Sequence, residues 1–436
     1  MYYQYISLAG FPAPRIWKHM TRSKKTEVFD VIVIGGGAAG MMAAGTAGAR
    51  GKRVLLLEKN AKLGEKLSIS GGKRCNILNA ETDVKKLLSN YGASEQFLYS
   101  AFSKFGMKET YSFFEERGLP LIVQGKKRAL PKSEKASDVV KCLLHYVKDG
   151  KVQVKLRSPV TVIKKKGKNI EYVEAGGKAY SATSYVFATG GLSHPETGST
   201  GDGFSWLTSL GHTVSKPTPS IVPLNVLETW VRDAAGVSIK DCKITFAVDG
   251  VRAFASTGSL LFTHTGISGP VVLNSSTKVA GLFEEGEVTA HIDLFPKFDI
   301  GGLDKALTEL FDEHKNKDIK NVFKDFAPAG MSSVLLARLP EILPETKVNG
   351  ITKETRRKLV EDLKDLPLTI TSLMGFDKAV VADGGVPLTE MDMRTMHSTL
   401  LENLFIVGDL LHIQRPSGGF SLQLSWTSGY IAGSEA

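Results

Sequence analysis

Three glycines in the stretch GGGAAG have the spacing of a nucleotide-binding turn. Gly35, Gly37 and Gly40 satisfy the pattern GxGxxG, and Ala38 and Ala39 lie between the second and third glycines. In such a turn the first glycine permits a sharp bend, the second lets a diphosphate approach the backbone, and the third lets a helix pack closely on a strand. The unpaired N–H groups at the start of that helix face the diphosphate. We therefore predict that these five residues bind the diphosphate of a nucleotide.

An acidic residue follows at the place where such a site holds a ribose. Glu58 lies near the end of the apolar run RVLLLEK at 53–59. Its carboxylate can accept hydrogen bonds from ribose hydroxyls, and an acid here favours a free 2′-hydroxyl. FAD or NAD is therefore preferred to NADP, and Lys59 is a further candidate for contact with the cofactor.

A second loop distinguishes these two nucleotides. GEKLSISGGKRCNILN at 64–79 is rich in glycine, serine and cationic residues. FAD is the longer cofactor and needs such additional donors, whereas NAD-dependent dehydrogenases do not usually carry this loop. The residues of this loop that we predict to contact FAD are Lys66, Ser70, Gly71, Gly72, Arg74, Cys75 and Asn76. The Cys75 thiol is interpreted as a small structural group, because no resolving cysteine accompanies it.

The last part of the chain adds the other half of the expected site. IVGDL at 406–410 contains Gly408 and Asp409, and this aspartate can hold a ribityl hydroxyl of FAD. A glycine pair then opens the last helix, whose N-terminus would stabilise negative charge at flavin N1 and the C2 carbonyl. The remaining predicted contacts with FAD are Gly418, Gly419, Phe420 and Ser421 at this helix, and Val160, Thr189, Gly190 and Gly191 earlier in the chain.

Candidates for contact with a substrate are fewer. His264 could orient or protonate a substrate near neutral pH, or it could cap the turn before Gly266. Arg128 and Lys132 could clamp an anionic substrate, or simply lie at the surface. No HExxH, paired-carboxylate or Ser-His-Asp pattern is present in the sequence. We therefore expect the flavin to supply the chemistry, without a metal.

The elements that position these residues follow from the apolar pattern. DVIVI at 30–34 and RVLLLEK at 53–59 read as buried parallel strands, and residues 38–50 between them read as a helix, which together make a βαβ unit. NLFIVGDL and the final helix repeat this pattern of a buried strand, a glycine turn and a helix near the C-terminus. The sequence therefore predicts an α/β fold whose Rossmann-like FAD-binding domain is formed by both ends of the chain.

The regions between the two ends have a different character. The FAD-binding domain is assigned to residues 27–204 and 370–436. Residues 205–300 read mostly as β and are assigned to an inserted domain, whereas residues 301–369 are charged and helical and are assigned to a small subdomain. Residues 1–26 are predicted to be a disordered extension.

The composition excludes several classes of protein. The chain has 436 residues, and no segment approaches the ~20 apolar residues of a membrane span. The net charge is +10, but basic runs such as KKKGK at 164–168 are short, so a small-molecule substrate is preferred to a nucleic-acid partner. Cys75, Cys142 and Cys242 show no metal-ligand spacing and favour a reducing, cytoplasmic compartment.

Taken together, these motifs resemble the BaiN/YhiN-type flavoproteins, which are FAD-binding proteins of the glutathione-reductase-like superfamily. The resemblance covers about residues 28–434 and rests on GGGAAG, SGGKRCNILN, RALPKSEKASDVV, ATGGLSHPETGSTGDG, LLFTHTGISGP, GFDKAVVADGGV and GDLLHIQRPSGGFSLQLSWTSG. It implies a glutathione-reductase-type FAD domain with an inserted β-barrel-like domain and a small helical domain. The chain departs from the family pattern at Lys73, which replaces a glycine, at Asp409, which replaces a glutamate, and in LLHIQRP, which replaces an acidic stretch.

The expected function is that of an FAD-dependent oxidoreductase, which transfers hydride or electrons through flavin N5. The resemblance implies reduction of an activated C=C bond in a hydrophobic carbonyl compound, with oxidation of a small amine such as aminoacetone by oxygen as the alternative. The sequence has no second GxGxxG for a nicotinamide nucleotide, so NADH or NADPH is expected to dock only transiently as electron donor. An RNA-acting flavoprotein and a flavin-binding protein without turnover remain alternatives from other classes.

Overall fold

The computed structural model describes residues 26–436, so the extension predicted at 1–26 lies outside the described residues except for Thr26. Its strands are β1 (Glu27–Ile34), β2 (Val54–Leu57), β3 (Leu78–Asn79), β4 (Leu121–Gln124), β5 (Arg128–Pro131), β6 (Gln153–Lys155), β7 (Val160–Lys166), β8 (Asn169–Ala175), β9 (Lys178–Phe187), β10 (Ser215–Ser220), β11 (Leu224–Val226), β12 (Ser238–Val248), β13 (Val251–Phe262), β14 (Gly266–Ser268), β15 (Val288–Asp293), β16 (Leu366–Leu373), β17 (Val381–Gly385), β18 (Met391–Asp392), β19 (His397–Ser398) and β20 (Leu404–Ile406).

The α-helices are α1 (Ala38–Ala49), α2 (Glu65–Ile69), α3 (Val84–Leu88), α4 (Glu95–Lys104), α5 (Met107–Glu116), α6 (Ala136–Asp149), α7 (Asp202–Leu210), α8 (Pro270–Leu282), α9 (Ile300–Glu313), α10 (Ile319–Phe326), α11 (Ser332–Ala337), α12 (Lys353–Lys364) and α13 (Phe420–Glu435). Within residues 26–436, none of them combines the length and the apolar character needed to cross a bilayer.

The larger sheet combines strands from both ends of the described chain. Its order is β18-β19-β20-β9-β1-β2-β6, and β7 and β8 join it through β9. β1 pairs in parallel with β2 on one side and with β9 on the other, and β9 pairs in parallel with β20. Residues 31–34 and 54–57 are buried, as expected for parallel strands covered on both faces. The predicted α/β fold of Rossmann type is therefore confirmed.

The first and last helices pack closely against each other. A Cβ atom at Gly429 of α13 would lie 2.4 Å from the carbonyl oxygen of Ala39, and one at Gly433 would lie 2.4 Å from that of Ala43. Only glycine permits this approach of two helix backbones. The N-terminal turn and the C-terminal helix are thereby fixed side by side, although nearly four hundred residues separate them.

A closed barrel of six strands forms the other large part of the molecule. Its order is β11-β14-β13-β12-β15-β16, and its buried side chains share one hydrophobic core with helices α8 to α12. The last barrel strand, β16, follows these helices in the chain. The barrel that the resemblance implied is present, and the domain boundaries given above stay a prediction.

Some stretches differ from the sequence expectation. Within 205–300, which reads mostly as β, the segment Pro270–Leu282 is helical, because Gly269 turns the chain at φ +91° and proline is favoured in a first helical turn. Its valines and threonine resemble a strand in composition. Within 95–150, which reads as largely helical, β4 and β5 form a hairpin that pairs with β3.

Candidate functional site

The turn between β1 and α1 leaves open space beside one of its glycines. Gly35 has φ +104°, and a Cβ there would lie 2.5 Å from the carbonyl oxygen of Ala188. A Cβ at Gly40 would lie 1.9 Å from the carbonyl oxygen of Gly35, whereas one at Gly37 would meet nothing within 4 Å. The first and third glycines are thus required by packing. The second borders free space in which a ligand can approach the backbone.

Glu58 is tied to the same turn. Its carboxylate is buried and accepts hydrogen bonds from the backbone N–H of Gly36 and of Asn60, both at 2.7 Å. The N–H of Gly64 in turn donates to the carbonyl of Gly36 at 2.9 Å. Glu58 therefore fixes the shape of the glycine turn, a role beyond the ribose contact that the sequence predicted.

A cleft opens between this turn, α2 and the start of α13. Its empty volume, including the open solvent at its mouth, is about 940 Å³. Residues predicted from the sequence that line it are Gly35, Gly37, Ala38, Ala39, Glu58, Lys66, Ser70, Thr189, Gly190, Gly408, Asp409 and Ser421. Residues that the sequence reasoning missed are Gly36, Asn60, Gly64, Glu65, Leu67, Ala188, Thr197, Gly198, Ser199, Val380, Val381, Val407, Leu422 and Ser425.

A smaller cavity adjoins the cleft and shares Gly35, Glu58, Thr189 and Gly198 with it. Lys59 and Val160, both predicted from the sequence, line this second cavity. The Lys59 ammonium donates to Thr200 Oγ1 at 2.5 Å and to Asp202 Oδ2 at 2.7 Å, so it holds the start of α7 against the end of β2.

Four of the missed residues belong to the motif ATGGLSHPETGSTGDG of the sequence analysis, namely Ala188, Thr197, Gly198 and Ser199. Gly198 of HPETGSTGDG has φ +100°, and a Cβ there would lie 2.5 Å from Asn60 Nδ2. Asn60 Nδ2 donates to the carbonyl of Thr197 at 2.8 Å. The motif was therefore visible in the sequence, but its position at the cleft depends on the contact between two loops that are distant in the chain.

Asp409 is at the centre of a buried charge network in the wall of the cleft. Its Oδ2 lies 3.2 Å from Lys66 Nζ, and its Oδ1 accepts from the guanidinium of Arg415. Burial alone would raise the pKa of Asp409, but the two cations outweigh it and hold that pKa below its usual value. The carboxylate is therefore ionised at neutral pH. Lys66 also donates to Ser193 Oγ at 3.1 Å.

The last helix begins at the predicted glycine pair. Gly418 and Gly419 have φ +110° and +104°, and a Cβ at Gly419 would lie 2.3 Å from the carbonyl carbon of Leu78. The carbonyl of Phe420 accepts from the Tyr91 hydroxyl at 2.9 Å, and Ser421 lines the cleft. The positive end of this helix dipole thus lies at the cleft.

The SGGKRCN loop contributes less to the cleft than expected. Gly71 and Gly72 are exposed, and Arg74 is engaged elsewhere with Glu134 at 2.6 Å. Cys75 is buried, and burial raises the pKa of its thiol to about 12. The predicted residues that do not line either cavity are Gly40, Gly71, Gly72, Arg74, Cys75, Asn76, Gly191, Gly418, Gly419 and Phe420. Their roles toward the cofactor stay predictions.

The three substrate candidates lie outside the cleft. His264 is exposed in the tight turn between β13 and β14, where the N–H of Thr263 donates to the carbonyl of Gly266. Lys132 is exposed just after β5. Arg128 is half-buried, and its Cγ lies 3.9 Å from a Cβ built on Gly418. Of the three, Arg128 is thus placed beside the loop that leads into α13.

The donor set fits FAD. The cleft offers backbone space at Gly37, the acid Glu58, and an ionised Asp409 together with the start of α13. Among residues 26–436, no cluster of three or more histidine, cysteine, aspartate or glutamate side chains could hold a metal ion. The lining of the cleft is therefore suited to the diphosphate and hydroxyl groups of FAD.

The chain is similar to a known protein family and to curated proteins. The family model described as HI0933-like protein Rossmann domain matches residues 29–435. The chain is 31% identical over 412 residues to the 3-dehydro-bile acid delta(4,6)-reductase of Clostridium scindens, and the alignment covers 93% of this chain and 98% of that protein. It is 28% identical over 412 residues to the ribosomal RNA dihydrouridine synthase of Escherichia coli, and this alignment covers 93% of this chain and 97% of that protein.

A solved structure extends the likeness to the fold. The 3-ketosteroid-delta4-(5alpha)-dehydrogenase from Rhodococcus jostii superposes with a TM-score of 0.53 at 15% identity, covering 96% of this chain and 98% of that one. At this identity the likeness shows the fold alone. The family match spans nearly all of the described residues. The chain therefore belongs to the HI0933-like family of FAD-binding Rossmann proteins and is an FAD-dependent oxidoreductase.

Proposed function

We propose that this enzyme reduces an activated C=C bond in a hydrophobic carbonyl compound. The observation that carries the proposal is the 31% identity, over nearly the whole of both chains, to a protein named as a bile acid delta(4,6)-reductase. The name of the second relative, a dihydrouridine synthase, also describes the saturation of a C=C bond next to a carbonyl. Both relatives thus support the same bond change on different molecules.

The cleft residues would hold FAD in one orientation. The turn at 35–40 would bind the diphosphate, Glu58 the adenosine ribose, and Asp409 the ribityl chain, with the start of α13 toward the ring. When bound, FAD would supply two-electron chemistry, by which a hydride from a donor would reach the β-carbon of the conjugated bond while a proton from solvent would be added at the α-carbon. We propose NADH or NADPH as that donor, docking transiently.

Apolar side chains support a hydrophobic substrate. Leu67, Val380, Val381 and Leu422 line the cleft together with its polar groups. They would exclude water from the reacting bond, which strengthens the electrostatic effect of the α13 terminus on a developing negative charge. Arg128, beside Gly418, is the candidate for an anionic group of the substrate.

The experiment is an anaerobic turnover assay with purified holoprotein, NADH or NADPH, and a steroid that carries a conjugated ketone. We expect a product that is heavier by two hydrogens, detected by mass spectrometry, and no product with the isolated alkene as matched control. Turnover of aminoacetone with oxygen, in the absence of enone reduction, would instead support the amine oxidase alternative.

RNA is the second candidate substrate, because one relative is named as a ribosomal RNA dihydrouridine synthase and this chain carries a net charge of +10. The flavin chemistry would be the same, and only the substrate site would differ. Incubation of reduced holoprotein with unmodified ribosomal RNA, followed by nucleoside analysis, tests it. Dihydrouridine formation without enone reduction would replace the small-molecule substrate by RNA.

A further inference from the structure

Arg415 is buried behind the wall of the cleft. Its side chain is only 2% exposed, and it does not line the cleft itself. Two residues that do line the cleft are its partners: it donates to Asp409 Oδ1 and, through Nε, to Ser421 Oγ at 3.1 Å. Its third donor group, NH1, reaches the carbonyl of Ile413 at 2.6 Å. One guanidinium therefore joins the late acidic turn to the first turn of α13.

The two cations around Asp409 are not equivalent. Lys66 lines the cleft, its side chain is 27% exposed, and its contact with Asp409 Oδ2 is 3.2 Å long. Arg415 has no access to the cleft and is fixed by partners on three sides. A flexible ammonium at the cleft wall can turn to a new anionic partner at little cost, whereas a buried guanidinium cannot. Arg415 is thus the permanent partner of the carboxylate.

Removal of either partner from a buried ion pair leaves an uncompensated charge. If Lys66 turned toward a bound diphosphate, Asp409 would retain only Arg415 as a cationic neighbour among the groups that contact it. The hydrogen bond to Ser421 would at the same time hold the first turn of α13 in place.

We infer that Arg415 is a positioning residue of the cofactor site, which holds the Asp409 carboxylate in the wall of the cleft and leaves Lys66 free to bind the anionic part of FAD. This inference depends on FAD binding and on no particular substrate. A failure of the enone assay would therefore not affect it.

The test measures FAD dissociation from holoprotein on dilution, by recovery of flavin fluorescence, for wild type, R415M and R415K. We expect the protein concentration at which FAD dissociates to be about 10- to 100-fold higher for R415M than for wild type. A loss of affinity of this size corresponds to the loss of one hydrogen bond to a charged group. R415K should lose less, because it restores the charge but cannot reach all three partners. R356M is the matched control, since Arg356 makes a partly buried ion pair with Asp304 at 2.8 Å, between α12 and α9.

A purely structural role would also weaken binding, so the pH dependence is the deciding readout. In R415M the burial of Asp409 is opposed by Lys66 alone, and Lys66 and Arg415 are the charged groups that contact it. We expect the extent of FAD dissociation from R415M to increase steeply as the pH falls from about 8 to about 5. The extent of FAD dissociation from wild type and from R356M should not change with pH above about pH 5.

The double variant D409N/R415M separates the remaining possibilities. If Arg415 acts through Asp409, the double variant should release FAD no more readily than the weaker-binding single variant. Additive losses, or an R415M protein whose FAD affinity and pH profile match wild type, would overturn the inference. If R415M does not fold, the pH profile and the double-variant cycle are measured with R415Q, which removes the charge but keeps a hydrogen-bond donor.

Discussion

The glycine turn permits a pair of substitutions that separates ligand binding from folding. Gly37 has φ −80° and ψ −167°, a conformation that any residue adopts, and a Cβ there meets no atom within 4 Å. G37A should therefore fold as wild type does, or gain about 0.4–1 kcal/mol through a less flexible unfolded chain. Its methyl group enters the space that a diphosphate would occupy.

The neighbouring substitution G40A should act in the opposite way. A Cβ at Gly40 would lie 1.9 Å from the carbonyl oxygen of Gly35, so the helix and the turn must separate. Overpacking of this kind costs about 1–3 kcal/mol or more. For G37A the same range of steric cost would fall on FAD binding alone, which corresponds to an increase in Kd of roughly 5- to 150-fold.

The assay combines thermal unfolding of flavin-free protein with FAD titration followed by fluorescence quenching. G37A should keep the wild-type Tm and lose affinity, whereas G40A should lower the Tm whether or not FAD is added. A G37A protein that binds FAD as tightly as wild type would show that the diphosphate does not approach this backbone. That result would refute the reading of the turn.

Three further predictions concern side chains in the described part of the fold. E58A should lower the Tm of flavin-free protein as well as FAD retention, because the buried N–H of Gly36 and the partly buried N–H of Asn60 lose their acceptor; an unchanged Tm would show that the carboxylate serves the ribose alone. Burial lowers the pKa of His212 below its usual value, although the hydrogen bond to Glu390 opposes this, so the contribution of neutral His212 to folding stability should be complete above about pH 6.5 and decrease below it. The Tm of wild type should therefore fall between about pH 8 and about pH 5, and it should fall less in H212Q. An equal fall in both proteins would contradict this prediction. Burial raises the pKa of the Cys75 thiol to about 12, so this cysteine should resist alkylation by iodoacetamide in native holoprotein. Rapid alkylation, detected by mass spectrometry, would show that the SGGKRCN loop opens.

The parts of the fold that follow from local patterns were predictable. Residues 31–34 are apolar without interruption, and the glycine spacing and Glu58 follow at the distances of a βαβ unit. The last glycine pair opens a helix as predicted, because φ values above +100° at Gly418 and Gly419 are open only to glycine. These signals are encoded within short segments, so the sequence alone carries them.

The rest depends on contacts between distant segments. Asp409 was predicted at the cleft, but its buried partner Arg415 was not, because a cation six residues away has no periodic signature. The SGGKRCN loop was expected to face the cofactor, yet Arg74 turns to Glu134. His264 is chemically suitable for catalysis, but its turn places it at the surface.

The central claim is most directly tested by a single-turnover experiment. Holoprotein is reduced anaerobically with light and a photosensitiser, which requires no nicotinamide nucleotide, and is then mixed with a conjugated steroid ketone. We expect recovery of the oxidised flavin spectrum, with one saturated product formed for each flavin. A spectrum that remains reduced with the enone and recovers only with oxygen would contradict it.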